Sequence, residues 1–572
     1  ESLTSLLITK QLLNHMADKE QRPLPGRSSH DENLSQSAKK FQEAICVLLV
    51  ELCERFTFFG IVCNMILFCT VRLGYRNYQA AIVNMCFVGT SVLTPVLVGW
   101  VAECLVGRIK LVCVCMFLHF LGTALLPVVA FPFEDIYIDR RHILHMLSKR
   151  EQKIVFYFAL LTASLGIGGI RAIVCPLSAY NLEDCGPKEL FSFFNWFNWL
   201  VNLNSAVVFV SISYIQKSVA RNLGFLIPFV SVLMAMITIH MVRGEMIYKP
   251  KTDSSLLTTF GVIASALKKT CCVRYRYFSG SMTNWLDHAK ENYGGQYSET
   301  QVESTKLLSR LFPLFAFQIL YRTCIMQIPS GYYLQTMNSN LHFSGFVLPV
   351  AAMNVISIVP LLILVPILEQ INSCLFNKPN SYTSTCIILS AALSVMVAGF
   401  SEIHRKHFPQ VEQTLSEEVL LVSSMPCFHL APQYILLGVA EALVTPSCSL
   451  LAFRLVPERI RGISMHFLTL FNGAGCFMGP CLILQGKLIL LQMSALPGNW
   501  FPHLLHEGKL ERFFFFLASL MMVNTLGFWT IAHRYGSNLC HHECKGSYVS
   551  GILLDSPMEI WGCSSMEILQ KP

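Results

Sequence analysis

An all-α polytopic membrane protein is predicted from three observations. The chain of 572 residues is 53% hydrophobic and only 14% charged, whereas a soluble domain carries about a quarter charged residues. Apolar segments of roughly 20 residues recur along its whole length, each long enough to cross a hydrocarbon core of about 30 Å. A transmembrane β-barrel would instead show short segments of alternating polarity. The third observation is Glu51-Leu-Cys-Glu54-Arg55-Phe56, which places three ionisable groups inside the apolar run from about Phe41 to Thr70. Such groups are costly in a bilayer and persist where they face a polar cavity or one another. Spacings of three and four put Glu51, Glu54 and Arg55 on one helix face.

Hydropathy and length give about twelve spans. The first six are Phe41–Thr70, Ala80–Val106, Ile109–Phe131, Ile154–Cys175, Phe191–Ile215 and Leu223–Val242. The second six are Leu307–Met337, Ser344–Leu368, Ser384–Glu402, Leu430–Val456, Gly462–Ile489 and Arg512–His533. Between them runs a basic linker with Lys249, Lys251, Lys268, Lys269, Arg274 and Arg276. Its apolar stretch Leu256–Leu267 suits an amphipathic surface helix. The expected organisation is a polar tail (1–40), a six-helix bundle (41–242), a linker (243–306), a second bundle (307–533) and a C-terminal tail (534–572). Six spans, a long linker and six more resemble the layout of the major facilitator fold, whose substrate site lies between two similar halves.

The basic linker predicts a cytoplasmic central loop and cytoplasmic termini. One loop disagrees, since Arg140, Arg141, Lys149, Arg150 and Lys153 fall on the predicted outer side. The linker and the repeated layout outweigh it. The net charge of +8 is spread among apolar segments, with no separate basic domain, which argues against a nucleic-acid partner. The stretch before Phe41 reads as a flexible tail and not a signal peptide. The 22 cysteines are scattered through apolar segments, as small buried hydrophobes. Cys540-His541-His542-Glu543-Cys544 is denser but lacks a second ligand pair. No metal or other cofactor is expected. No nucleophile–base motif appears, and the tail cluster lacks the HExxH spacing, so an enzyme is not expected.

Five motifs resemble the proton-coupled oligopeptide transporter family, solute carrier family 15. They are Glu51-x-x-Glu54-Arg55-Phe56-x-Phe58-Phe59-Gly60; Gly99-Trp-Val-Ala-Glu103-Cys-Leu-Val-Gly107-Arg108; Gly166-Ile-Gly168-Gly169-Ile-Arg171; Phe193-Phe-Asn-Trp196-Phe197-Asn198-Trp199; and Pro432-Gln433-Tyr434 followed by Glu441. Phe58-Phe59-Gly60 and Asn64 are similar to the peptide/histidine branch. The resemblance implies a symporter of di- and tripeptides, with histidine as a further substrate, coupled to protons and working by alternating access as a monomeric unit in the lipid bilayer. Whether the host membrane is the plasma membrane or an endolysosomal one stays open.

The resemblance also implies site roles. Glu51, Glu54, Arg55 and Arg171 would serve proton coupling and gating, although Glu51, Glu54 and Arg55 can equally form a permanent brace. Arg171 stands at the family's fourth-helix Lys position and can pair but not release its proton. Glu441 would hold the substrate amine, unless Arg322 is its partner. Asn64, Asn198, Trp199, Gln327, Asn354 and Ser357 are further substrate candidates, and helix-to-helix hydrogen bonding is the other reading for the amides and the hydroxyl. Gly99, Glu103, Gly107, Arg108 and Arg322 read as gate or structural residues.

The chain also departs from the pattern. Val62 replaces a first-helix Arg, Met85 a second-helix His and Met326 a seventh-helix acid. Tyr180-Asn181 stand where an Asp-Gln pair is expected, Asn198 replaces a Tyr, and Asn204 a Gly. These changes remove cationic and proton-relay groups from both halves. They leave a second reading open: a transporter-like scaffold or sensor without flux.

Overall fold

A computed structural model describes residues 46, 48–63, 65–104, 108–130, 149–180, 187–218, 223–242, 255–273, 285–343, 345–375, 381–415, 418–454, 456, 461–492 and 505–546. The first six helices are α1 (Leu48–Val71), α2 (Asn77–Cys104), α3 (Arg108–Ala130), α4 (Lys149–Tyr180), α5 (Pro187–Ser218) and α6 (Leu223–Val242). Two linker helices follow, α7 (Ser255–Val273) and α8 (Glu299–Ser309). The next span is composite. It comprises α9 (Phe312–Ile325), a π-helical turn at Ile328–Tyr332 and α10 (Tyr333–Met337). Then come α11 (Val355–Leu375), α12 (Ser381–Lys406), α13 (Ala431–Arg454), α14 (Arg461–Gln492) and α15 (Leu510–Gly546). Among the described residues, eight helices are long and apolar enough to cross a membrane, or nine if α8 and the composite span, bent by 41°, count as one.

Two differences from the sequence reading stand out. The last helix continues to Gly546, past the expected end at His533, because the polar run 534–546 still propagates an established helix. Two short antiparallel hairpins mark one end of the molecule: β1 (His342–Phe343) with β2 (Phe346–Val347), and β3 (Gln410–Leu415) with β4 (Glu418–Ser423). We call this the hairpin end, and the opposite one the linker end.

Small residues set the helix spacing. A Cβ on Gly166 of α4 would lie 2.4 Å from the His119 backbone nitrogen of α3, so the two backbones touch there. Gly475 of α14 meets the Ile319 carbonyl of α9, and Gly479 meets Met85 of α2. Close approach of this kind supplies the packing that the hydrophobic effect cannot supply in lipid. The outer surface carries Phe117, Ile237, Val523 and Leu526 largely exposed, as a lipid-facing surface requires.

The two halves meet along α2 and α14, and along α5 and α11. On the hairpin side they are also joined by hydrogen bonds. Asn84 Nδ2 donates to the Pro329 carbonyl at 2.7 Å and Tyr333 OH to the Cys63 carbonyl at 3.3 Å.

The linker folds onto the second half. Val262 and Ala266 of α7 pack on Leu286, Ala289 and Val302, and Phe260 lies 5.0 Å from the Phe467 ring of α14. Lys306 Nζ sits 2.6 Å from Asp287 Oδ1, and Lys290 Nζ 2.6 Å from Glu303 Oε1. Burial opposes the Asp287 charge, but hydrogen bonds from Lys306 and Lys290 outweigh it and hold its carboxyl below the ordinary 3.8. Hydrogen bonds from the same lysines hold Glu303 below 4.5. Depressed folded values stabilise the linker above the ordinary carboxylate range, and the contribution is lost as pH falls through the folded values. Hydrogen exchange across 285–309, corrected for its intrinsic pH dependence, should show protection at neutral pH and progressive loss below about pH 4. Unchanged protection at acid pH would exclude these pairs as what holds the linker.

Candidate functional site

The first-helix acids lie at the interface of α1 and α4. Arg55 Nε donates to Glu51 Oε1 at 3.0 Å and lies 3.5 Å from Glu54 Oε2. Arg171 of α4 reaches across, its Nε donating to Glu54 Oε1 at 3.0 Å. A terminal nitrogen of the same guanidinium lies 3.0 Å from that oxygen, and its charge covers the Phe58 ring at 4.5 Å. The small side chains of Gly166, Gly168 and Gly169 let α4 approach α2 and α3 closely, which carries Arg171 to α1.

The burial is asymmetric. Glu51 and Glu54 are 1% and 0% exposed, whereas Arg55 and Arg171 retain 22% and 10%. Glu51 Oε2 and Glu54 Oε2 are buried and accept no hydrogen bond. A buried acid pair with two cations at its rim is a charge cluster whose balance one proton would change.

The second half carries Arg322 on α9 and Glu441 on α13, with 3.9 Å between Arg322 NH1 and Glu441 Oε1. This contact is too long for a hydrogen bond. Arg322 lies in the last turn of α9, within the composite span, and Glu441 midway along α13; both stay accessible, at 25% and 30%. The Arg322 stem packs on Gly475, and its Nε has no hydrogen-bond partner. Both sequence readings of Glu441 therefore keep a place: Arg322 is near, and room for a ligand remains.

Three other candidates do not face an open site. Gln327, Asn354 and Ser357 are buried; Gln327 Nε2 donates to the Thr323 carbonyl at 3.1 Å and Ser357 Oγ to the Asn354 carbonyl at 2.7 Å. Helix rotation turns them into the packing, with Gly438 of α13 against the Ser357 carbonyl. In this conformation their side chains lie in the helix packing and not on accessible surface. Trp199 is half-buried, and its Nε1 donates to the Leu362 carbonyl of α11 at 2.9 Å, so it also braces the two halves. Asn198 accepts two hydrogen bonds from Asn202, at its backbone and side-chain oxygens. Gly99 faces the His466 ring of α14, consistent with close helix approach. Asn64 and Gly107, and the side chains of Glu103, Arg108 and the Cys540–Cys544 cluster, lie outside the described residues.

Sequence reasoning passed over two polar features. His119 of α3 is fully buried at the α4 crossing, with neither ring nitrogen hydrogen-bonded. A lone His in an apolar span was the available signal. At the hairpin end, Glu402 and Arg405 form a buried pair tied to Gln335 and Asn338.

Two helical bundles around mid-span charges, joined by a folded linker, describe a multi-pass membrane protein. The sequence profile of PTR2, the POT family, matches residues 109–489. Human (Homo sapiens) "Solute carrier family 15 member 5" is 57% identical over 563 residues, 97% of this chain and 95% of that protein. The chain belongs to the POT family. Among solved structures, an auto-inhibited POT family peptide transporter aligns with TM-score 0.62 at 16% identity, covering 86% of this chain and 97% of the other. A POT family transporter in complex with thioalcohol conjugated peptide aligns with TM-score 0.61 at 14% identity, covering 86% and 96%.

Proposed function

We propose that this protein moves small peptides across its membrane by alternating access, driven by protons. The observation that carries the reading is the bridge from Arg171 to the buried Glu54, which ties α4 to α1. A proton on Glu54 removes the charge that holds Arg171. It loosens the bridge and lets the helices of the first half shift against each other. Such a proton-dependent preference between two states is what coupling requires. The peptide class is supported by the peptide transporters among the solved relatives. Glu51 and Arg55 set the local charge balance.

Uptake into proteoliposomes under an inward proton gradient, with a panel of di- and tripeptides, tests this directly. Glu54→Gln keeps the shape and removes the titration. It should reduce gradient-driven uptake by at least tenfold while leaving counterflow exchange measurable. Equal pH dependence in the wild type and the variant would sink the assignment. A folded, ligand-binding protein with no flux under any gradient would favour the scaffold or sensor reading.

A further inference from the structure

The charges that a solute can touch are not balanced. Among the described residues, the mid-span charged groups are Glu51, Glu54, Arg55, Arg171, Arg322 and Glu441. The two first-helix acids are sealed, while Arg55, Arg171, Arg322 and Glu441 keep accessible surface. The accessible set is three cations and one acid. The acid already has a cation beside it, since Arg322 stands 3.9 Å from Glu441. An incoming ammonium would share Glu441 with that guanidinium and be repelled by it. The next turn of the same span offers Met326, which is buried and uncharged.

Hydrogen-bond supply points the same way. A guanidinium presents five donors. Arg322 does not hydrogen-bond Glu441 at this distance; its Nε is buried without a partner and Cys476 hydrogen-bonds the guanidinium, so the donors left for a ligand are those on its accessible end. A carboxylate can take these donors in the paired geometry that Arg favours. An ammonium needs several acceptors. One unpaired acceptor, Asn354 Oδ1 in the turn just before α11, is buried away from the accessible surface.

We infer that the site selects a carboxylate without a free amine, an N-acylated peptide or similar organic anion, with Arg322 as its anchor. This rests on the transport reading above and narrows its substrate class. The test uses three probes with the purified full chain: N-acetyl-dialanine, dialanine and dialanine amide. Binding is read by ligand-induced thermal stabilisation. The acetylated probe should bind at least as tightly as dialanine and at least tenfold more tightly than the amide. Arg322→Gln should weaken the acetylated probe at least tenfold, Arg322→Lys should restore part of it, and Glu441→Gln, which removes the anion beside Arg322, should tighten it. Binding that requires the free amine, or an acetylated probe indifferent to Arg322→Gln, overturns the inference and leaves peptide transport standing. Binding of none of the three overturns the peptide reading and the inference together.

Discussion

Arg171→Ala is expected to abolish uptake and to destabilise the first half, the largest functional effect of any single change in the cluster. Arg171 makes the inter-helix bridge to Glu54 and also covers the Phe58 ring. Its removal leaves Glu54 fully buried with Arg55 at 3.5 Å as its neighbouring cation. Stranding one member of a buried pair costs about 3–5 kcal/mol. Arg171→Lys should behave differently. An ammonium restores the charge without the planar fork, so folding is kept and uptake is partly retained. The double variant Glu54→Gln with Arg171→Gln removes both charges. It should recover stability without recovering proton dependence. Purified variants compared by thermal melting and by uptake separate these outcomes. Normal transport by Arg171→Ala would show that the helix-four cation is dispensable and that the bridge is not the coupling element.

The pattern of what the sequence disclosed follows from the physics. The spans were legible because apolar length is written directly in composition. The acid stripe was legible because Glu51, Glu54 and Arg55 stand out in an apolar helix and share a face by spacing alone. Arg171 was placed by its motif, and α4 does bring it to Glu54. Rotation about the helix axis was not legible where polar residues are few. Gln327, Asn354 and Ser357 are buried, and rotation about the helix axis decides whether such residues meet solute or a neighbouring helix. Hydropathy carries no such information when every face is apolar. The Glu402–Arg405 pair was hidden for another reason. The predicted span stopped at Glu402, which placed Arg405 in a loop, whereas α12 runs on to Lys406 and keeps both groups inside the fold.

That pair predicts the largest stability effect. Arg405 and Glu402 are both essentially inaccessible. Two nitrogens of Arg405 bind the two carboxylate oxygens of Glu402, at 3.0 and 2.6 Å. A third donates to the Asn338 carbonyl at 3.1 Å, beyond α10. Gln335 donates to Glu402 at 3.0 Å and accepts from Gln433 of α13 at 2.8 Å. Ser423 of β4 donates to the Arg405 carbonyl at 2.7 Å. One satisfied pair therefore ties together α10, α12, α13 and the β3–β4 hairpin. Arg405→Ala should lower stability by about 3–5 kcal/mol, because Glu402 loses its cation where no water can replace it. Glu402→Leu with Arg405→Met should recover most of the loss, since buried pairs exchanged for apolar groups of similar volume are often neutral or better. The comparison also separates a brace from a gate. If the doubly substituted protein melts near the wild-type temperature and still transports, the network only holds the hairpin end together. If it is stable but no longer transports, the charged pair is needed to change state, and proton coupling at Glu54 would then work against a second charged element at the hairpin end. A wild-type melting temperature for Arg405→Ala would refute the argument, because it would mean that water reaches Glu402 in the folded protein.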